Sequence, residues 1–404
     1  MSFQQGLSGL NAAARQLDVI GNNVANASTV GFKTSQTIFA DVYANSMAAS
    51  SATSVGIGTA VAAVQANFSQ GNITATSNPL DIAINGSGFY RLDNNGAINY
   101  SRNGQFHMDK DGFVVNAQGE KLTGYGVDAA GALIASNPGP IQVSSADLLP
   151  TATSKATVNV NLDSREAAIT VPFSLTDPHS YNKSTSMTSY DSLGNPHTLT
   201  SYFVKSAANT WTVWGSMDGA AATNLGTLHF KTDGTLDTTA TTLPFNVSAA
   251  VTTGATTPLA FTLDFTGSTQ FGSAFGTTAL TQDGYTSGKI AGFSVSDDGV
   301  IQGRYSNGQS RNLAAVVLAN FANPQGLQPL GGNAFAESTG SGQPLVGRPG
   351  SGSLGALSSG AVEDSNVDLT HELVDMITAQ RIYQANAQTI KTQDQVLSTL
   401  VNLR

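Results

Sequence analysis

The sequence predicts an α+β fold that is mainly β. N- and C-terminal helices form a coiled-coil-like pair enclosing a β domain, and a second β domain is inserted in the first. Three observations carry this. Apolar residues recur at spacings of three and four at both ends of the 404-residue chain. Short apolar pieces separated by regularly spaced glycines begin near residue 70. Apolar and polar residues alternate along several stretches between residues 146 and 284.

At the N-terminus, Phe3, Leu7, Leu10, Ala14, Leu17 and Val24 mark one helical stripe, with Gly21 as a gap. This places a helix over residues 1–24. At the C-terminus, Leu369, Leu373, Met376, Tyr383, Ala387, Ile390, Leu397 and Val401 alternate at three and four, interrupted by Gln380 and Asp394. Ser365 and Asp368 form an S-x-x-D start signal, and neither Gly nor Pro follows Ser365. The helical domain is therefore expected over residues 1–24 and 363–404. An apolar stripe left in water is unfavourable and an isolated helix is marginal, so the two ends need each other and further neighbours. Phe3, Leu7, Leu10, Leu17, Val24, Leu369, Leu373, Met376, Tyr383, Ile390, Leu397 and Val401 are the candidate self-assembly surface.

Residues 25–70 are rich in Ser, Ala and Gly, nearly featureless from Ala48 to Thr53, and predict an extended linker or an arm that orders on assembly. From there Gly88, Gly96, Gly104 and Gly112 recur every eight residues, with turn signals at Asn94-Asn95-Gly96 and Lys110-Asp111-Gly112. This is a meander. It forms a discontinuous middle domain over 71–145 and 285–362, the latter ending in a glycine-rich loop. Ala156, Val158, Val160 and Leu162, and Leu259, Phe261, Leu263 and Phe265, read as half-buried strands of the inserted outer domain, 146–284.

Composition narrows the function. Only 11% of the residues are charged, against about 25% in ordinary soluble domains. The net charge is −9, and no basic residue lies between Lys231 and Lys289, so there is no stripe to neutralise phosphates and nucleic-acid binding is not expected. There is no cysteine, which excludes disulfides and thiol chemistry. The longest apolar run, Leu313 to Ala319, is too short to insert in a membrane, and the N-terminus lacks a signal-peptide layout. His107, His179, His197, His229 and His371 share no metal-ligand spacing and read as surface or strand residues. Asp109-Lys110-Asp111-Gly112 lacks the later ligands of a calcium loop and reads as a turn. No catalytic constellation, metal site or cofactor is expected, and the chain is not read as an enzyme.

Asn22-Asn23-Val24-Ala25-Asn26-Ala27-Ser28-Thr29-Val30-Gly31-Phe32-Lys33 resembles the signature of the bacterial flagellar rod and hook axial proteins at every defined position: Asn22, Asn23, Ala25, Asn26, Thr29, Gly31, Phe32 and Lys33. Phe68-Ser69-Gln70-Gly71, Ile84-Asn85-Gly86-Ser87-Gly88-Phe89, Asn366-Val367-Asp368-Leu369 and the Gln380–Ala387 stretch are also similar to that family, with Tyr90 a mild departure. Tyr190-Asp191-Ser192-Leu193-Gly194-Asn195 and Trp211-x-Val213 resemble the outer domain of the hook branch. The resemblance implies a subunit of a flexible helical tube that carries torque from rod to filament. It implies an extracellular place in the flagellum and export by the flagellar type III apparatus without a cleaved signal peptide. The implied partners are further copies of the chain, the distal rod protein, the hook cap, hook–filament junction and hook-length control proteins. The alternatives are a distal rod-type axial protein, against which residues 146–284 argue, and a secreted β-rich adhesin.

Overall fold

The structure is a computed structural model. It describes residues 2–42, 56–128, 131–134, 137–144 and 146–402, with residues 2 and 400–402 described by backbone alone. The stretch Ala48–Thr53 therefore lies outside the described residues. The chain divides into two compact units. One comprises Met1–Ser145, Gly292–Arg304 and Ser310–Arg404; the other comprises Ala146–Ala291 and Tyr305–Gln309.

In the first unit, helix α1 spans Ser2–Ala25 and helix α2 spans Leu369–Asn402. The start of α2 is set by Asp368, whose Oδ1 accepts the N–H groups of Thr370 (2.8 Å) and His371 (3.2 Å), two donors that have no partner inside the helix. Ser365, the other half of the expected start signal, instead receives the N–H of Val367. The helix thus begins later than the boundary at residue 363.

Among the described residues, the stretch expected as an extended linker or arm, 25–70, holds a paired hairpin. Strands Ser35–Val42 and Gly58–Ala66 pair antiparallel with a bulge between Ile38 and Phe39, and the hairpin is seated on α1. Gln5 donates to Gly56 O at 2.7 Å, and Ser8 Oγ receives the N–H of Thr59. Gly58 has φ +140°, and a Cβ there would lie 2.0 Å from Ser8 Oγ, so only glycine allows this approach.

The β part of this unit has a sheet in which Ser310–Val316, Lys121–Gly126, Phe89–Asn94, Ala97–Ser101, Ala334–Ala336 and Gln328–Gly331 are successive neighbours. Its core includes Ile82, Tyr90, Leu92, Phe106, Leu122 and Val316. A second cluster sets Phe68, Phe89, Phe321 and Phe335 edge-on at 5.1–6.2 Å between ring centres. The segment 331–360, expected as a loop, contributes the short strands Ala334–Ala336, Leu345–Gly347 and Ala356–Ser359.

The second unit packs two four-stranded sheets face to face. One has the order Phe245–Ala249, Leu259–Asp264, Lys155–Asn161, Gly276–Gln282, with the middle pair parallel. The other is the antiparallel meander Lys183–Tyr190, Pro196–Ala207, Thr210–Met217, Thr223–His229. Val158, Val160, Leu162, Phe261, Leu263 and Phe265 face Leu199, Phe203, Trp211, Val213 and Leu228 across the core. Trp211 is fully buried, and its indole N–H donates to Gln270 Oε1 at 2.8 Å. Truncating it removes the largest core side chain and leaves Gln270 without its donor. Trp211→Ala is expected to destabilise this unit by about 3–5 kcal/mol. Urea unfolding followed by far-ultraviolet circular dichroism would show it as a lowered midpoint.

Candidate functional site

The chemistry-bearing feature of this chain is the place where its two ends meet. Helices α1 and α2 run antiparallel: Gly6 lies against Ile390 and Asn386, Gly9 against Asn386, and Asn23 against Glu372. A Cβ on Gly9 would sit 2.8 Å from the Asn386 amide. At Gly6 and Gly9 the α1 side of the contact is bare backbone, which lets Ile390 and Asn386 of α2 come close. Asn23, nearly fully buried, joins three elements. Its Nδ2 donates to Ser35 O (2.9 Å) and Glu372 Oε1 (3.0 Å), and its Oδ1 accepts Ser35 N–H (3.0 Å). Burial raises the Glu372 pKa against the lowering influence of that hydrogen bond.

Past α1 the chain turns through Asn26 and Thr29. The Asn26 side chain donates to Asn22 O and accepts the Thr29 hydroxyl. Gly31 has φ +71° and donates its N–H to Glu363 O at 2.7 Å. A Cβ at Gly31 would lie 2.6 Å from Asn103 N, so both the conformation and the space demand glycine.

This turn delivers Lys33 into a buried ionic node. Lys33 Nζ lies 2.7 Å from Glu363 Oε1 and donates to Ser69 O at 2.7 Å. The same Oε1 accepts the N–H of Gly71 (2.8 Å) and an Arg102 guanidinium N–H (3.3 Å). Arg102 Nε stands 3.0 Å from Glu363 Oε2 as an ion pair without hydrogen-bond alignment. The remaining Arg102 donors go to Gly86 O and Gly88 O. All three charged side chains are almost wholly buried. Burial pushes the Lys33 pKa down, Glu363 holds it up, and Arg102 adds to the lowering. Asn366 ties the node to the approach of α2: it accepts Thr34 N–H (2.8 Å) and donates to Asn67 O and Ser69 O.

The separate sequence motifs therefore converge in space. Asn23, Gly31 and Lys33 are buried; Asn26, Thr29 and Phe32 are half-buried; Asn22 and Ala25 are exposed. The candidate assembly residues are distributed differently. Phe3, Leu7, Leu369, Leu373, Tyr383 and Leu397 are exposed, and Leu10, Leu17, Val24, Met376 and Ile390 are half-buried. The Val401 side chain lies outside the described residues. Sequence reasoning passed over Glu363 and Arg102, which carry no motif of their own, and Gly6 and Gly9, which a search for apolar stripes scores as blanks.

Four family models match successive parts of the chain: "Flagella basal body rod protein" at 3–33, "Flagellar hook protein FlgE/F/G D1 domain" at 83–177, "Flagellar basal body protein FlaE D2 domain" at 161–285 and "Flagellar basal body rod FlgEFG protein C-terminal" at 358–403. Over its whole length the chain is 45% identical to the flagellar hook protein FlgE of Salmonella typhimurium, with all of both chains covered. The chain belongs to the flagellar hook protein family. The FlgE of Borreliella burgdorferi is a more distant member, 33% identical with 100% of this chain and 99% of that protein covered. A solved hook-family structure, Helicobacter pylori FlgE2, shares the fold: TM-score 0.52 and 14% identity over 72% of this chain and all of that one.

In this hook-family chain the node has one anion between two cations, which makes its members unequal. Glu363→Gln leaves Lys33 and Arg102 buried without a counter-charge and is expected to cost about 3–5 kcal/mol. Lys33→Met keeps the Arg102–Glu363 pair and removes one buried ion, so it is expected to cost less than half as much. Thermal denaturation of the two variants side by side checks the order; equal losses would contradict this account.

Proposed function

We propose that this chain is the structural subunit of a flagellar hook, polymerising with copies of itself into a flexible helical tube that transmits torque from the distal rod to the filament. The observation that carries this reading is the row of bulky apolar residues left in solvent on both helices of a chain whose full-length relatives are flagellar hook proteins. Phe3, Leu7, Leu369, Leu373, Ile377 and Leu397 are each between 44% and 52% exposed. Because Gly6 and Gly9 let α2 approach α1 closely, much of the bulky stripe remains exposed and available to other copies. The end of α2 beyond Ile390, which lies against Gly6 near the start of α1, adds exposed Val396 and Leu397.

A helical polymer needs a heterologous contact, in which one patch of a subunit meets a different patch of the next. In this reading Phe3, Leu7, Leu10, Leu17, Val24, Leu369, Leu373, Met376, Tyr383, Ile390, Leu397 and Val401 line the inner tube. Residues 71–145 and 285–362 form the middle layer, and 146–284 form an inserted outer domain. The sparse charge of 146–284 supports outer faces that slide during bending, since few ion pairs fix one register. The distal rod protein, hook cap, hook–filament junction protein and hook-length control protein are its neighbours, and the flagellar type III apparatus exports it.

Leu373→Ser and Leu397→Ser separate assembly from folding. Both residues are exposed, so the monomer should lose no more than about 0.5 kcal/mol. Tube formation in kosmotropic salt, viewed by negative-stain electron microscopy, should be abolished in the double variant. Normal tubes would refute the assignment of this face.

A further inference from the structure

His197 lies in the second unit at the end of the two sheets where the 191–196 turn, the residues after Met217 and the connection between Ala249 and Leu259 come together. Its imidazole is nearly buried, and both ring nitrogens face carboxylates. Nδ1 is 2.6 Å from Asp218 Oδ2 and Nε2 is 3.3 Å from Asp191 Oδ2. Neither carboxylate can readily become a donor to a neutral ring. Asp191 is fully buried and accepts the N–H groups of Leu193 and Asn195 (2.9 Å each), the Asn195 side-chain amide (2.9 Å) and the Thr253 hydroxyl (2.6 Å). Asp218 accepts Thr198 N–H at 2.7 Å through its other oxygen. Two acceptor-only partners require two N–H donors, and only the imidazolium has both.

We propose that His197 is a proton-dependent staple within the meander sheet: as an imidazolium it ties the 191–196 turn to the residues after Met217 and so fixes Asp191 where Thr253 of the other sheet reaches it, and on losing its proton it frees that turn. Asp191 belongs to the turn after Lys183–Tyr190 in the meander sheet, and Thr253 to the connection between Phe245–Ala249 and Leu259–Asp264 in the other. A second tie runs alongside, from Thr256 N–H to Ser192 Oγ at 2.9 Å. On deprotonation the ring keeps one N–H, which the closer Asp218 holds. A lone pair on Nε2 then faces the Asp191 oxygen that Thr253 also uses.

Asp191 and Asp218 are the charged groups that face the ring. Burial works against its protonation, but the hydrogen bonds to Asp218 and Asp191 outweigh that and hold its pKa above the ordinary 6.5. Burial opposes ionisation of Asp191 and Asp218 too, yet their donors keep both carboxyls below the usual range. The sign follows: the staple is fully present below pH 6.5, where unfolded chains also carry the proton, and is lost as the pH rises through the elevated folded value.

The test uses the full chain with 13C,15N-histidine, the His197 signal being the one absent from His197→Asn. Two results are expected. Both ring nitrogens should show imidazolium shifts at pH 6 with a midpoint above 6.5, and Asp218→Asn should lower that midpoint by about one pH unit while the chain stays folded. Amide exchange of residues 191–198 and 250–256, corrected for intrinsic rate, should quicken about tenfold or more above the midpoint relative to the Trp211 strand. A neutral single tautomer at pH 6, or a midpoint at or below 6.5, overturns the imidazolium assignment. Unchanged loop protection through the titration overturns the staple.

Discussion

A single buried carboxylate governs how the two ends of this chain are held. Glu363 is placed between Lys33, which closes the N-terminal motif, and Arg102, which grips Gly86 O and Gly88 O in the meander. It also binds the N–H of Gly71. Removing such ions from water costs several kcal/mol each, so the node is a weak source of net stability. Its consequence is selective. A chain that docks α1 or the approach to α2 in any other way leaves a charge buried and uncovered, which is more costly than the correct arrangement. The carbonyls of Ser69, Gly86 and Gly88 explain how two cations tolerate one anion, since each cation has acceptors beyond Glu363.

The sequence motifs were legible as residue types long before their reasons were. That Gly31 must be glycine follows from the backbone of Asn103, far away in sequence, and that Gly71 must be glycine follows from Asp364 O, which a Cβ would approach to 2.1 Å. No local pattern encodes either contact. The helices were legible as elements, because stripes of Leu, Met and Ile have a period. Their mutual orientation was not, because the close contact is made by Gly6, Gly9 and Asn386, residues that weigh little in an apolar count. The hairpin on α1 was hidden for a related reason. Its strands are half-exposed and rich in Ala, Val, Thr and Ser, so composition resembles a linker while backbone pairing makes a sheet. His197 was passed over because its partners are two carboxylates reached across turns, whereas a search by spacing asks for metal ligands.

The second unit spends its few charges on itself. Asp163, Asp233 and Asp237 each accept a nearby backbone N–H. Arg165, Thr235 and Thr239 supply the side-chain donors that draw these carboxyls below their ordinary range, Asp163 to about 2. Its sheet edges are likewise met within the unit. Thr185 and Thr277 exchange a hydroxyl hydrogen bond at 3.2 Å where two edge strands approach, and the Phe245 ring occupies the space a side chain at Gly226 would need. Carboxylates engaged by their own neighbours leave this surface little charge with which to fix a partner.

That contrast gives the chain its logic as a polymer subunit. Tight association requires apolar area removed from water, at roughly 25 cal/mol per Å², and the helices retain such area on Phe3, Leu7, Leu373 and Leu397 although they approach each other closely at Gly6 and Gly9. Had Leu7, Leu373 and Leu397 been the residues that join α1 to α2, the monomer would be more self-contained and would have less to offer a neighbour. Glycines at the helix contact and exposed leucines beside it let one chain fold around the Glu363 node and still leave apolar helix surface in water. In the proposed tube, a β unit with few free charges would lie against its copies without locking them. On the same proposal, strong contacts on the helices and weak ones on the sheets would be the division that resisting twist while yielding to bending requires.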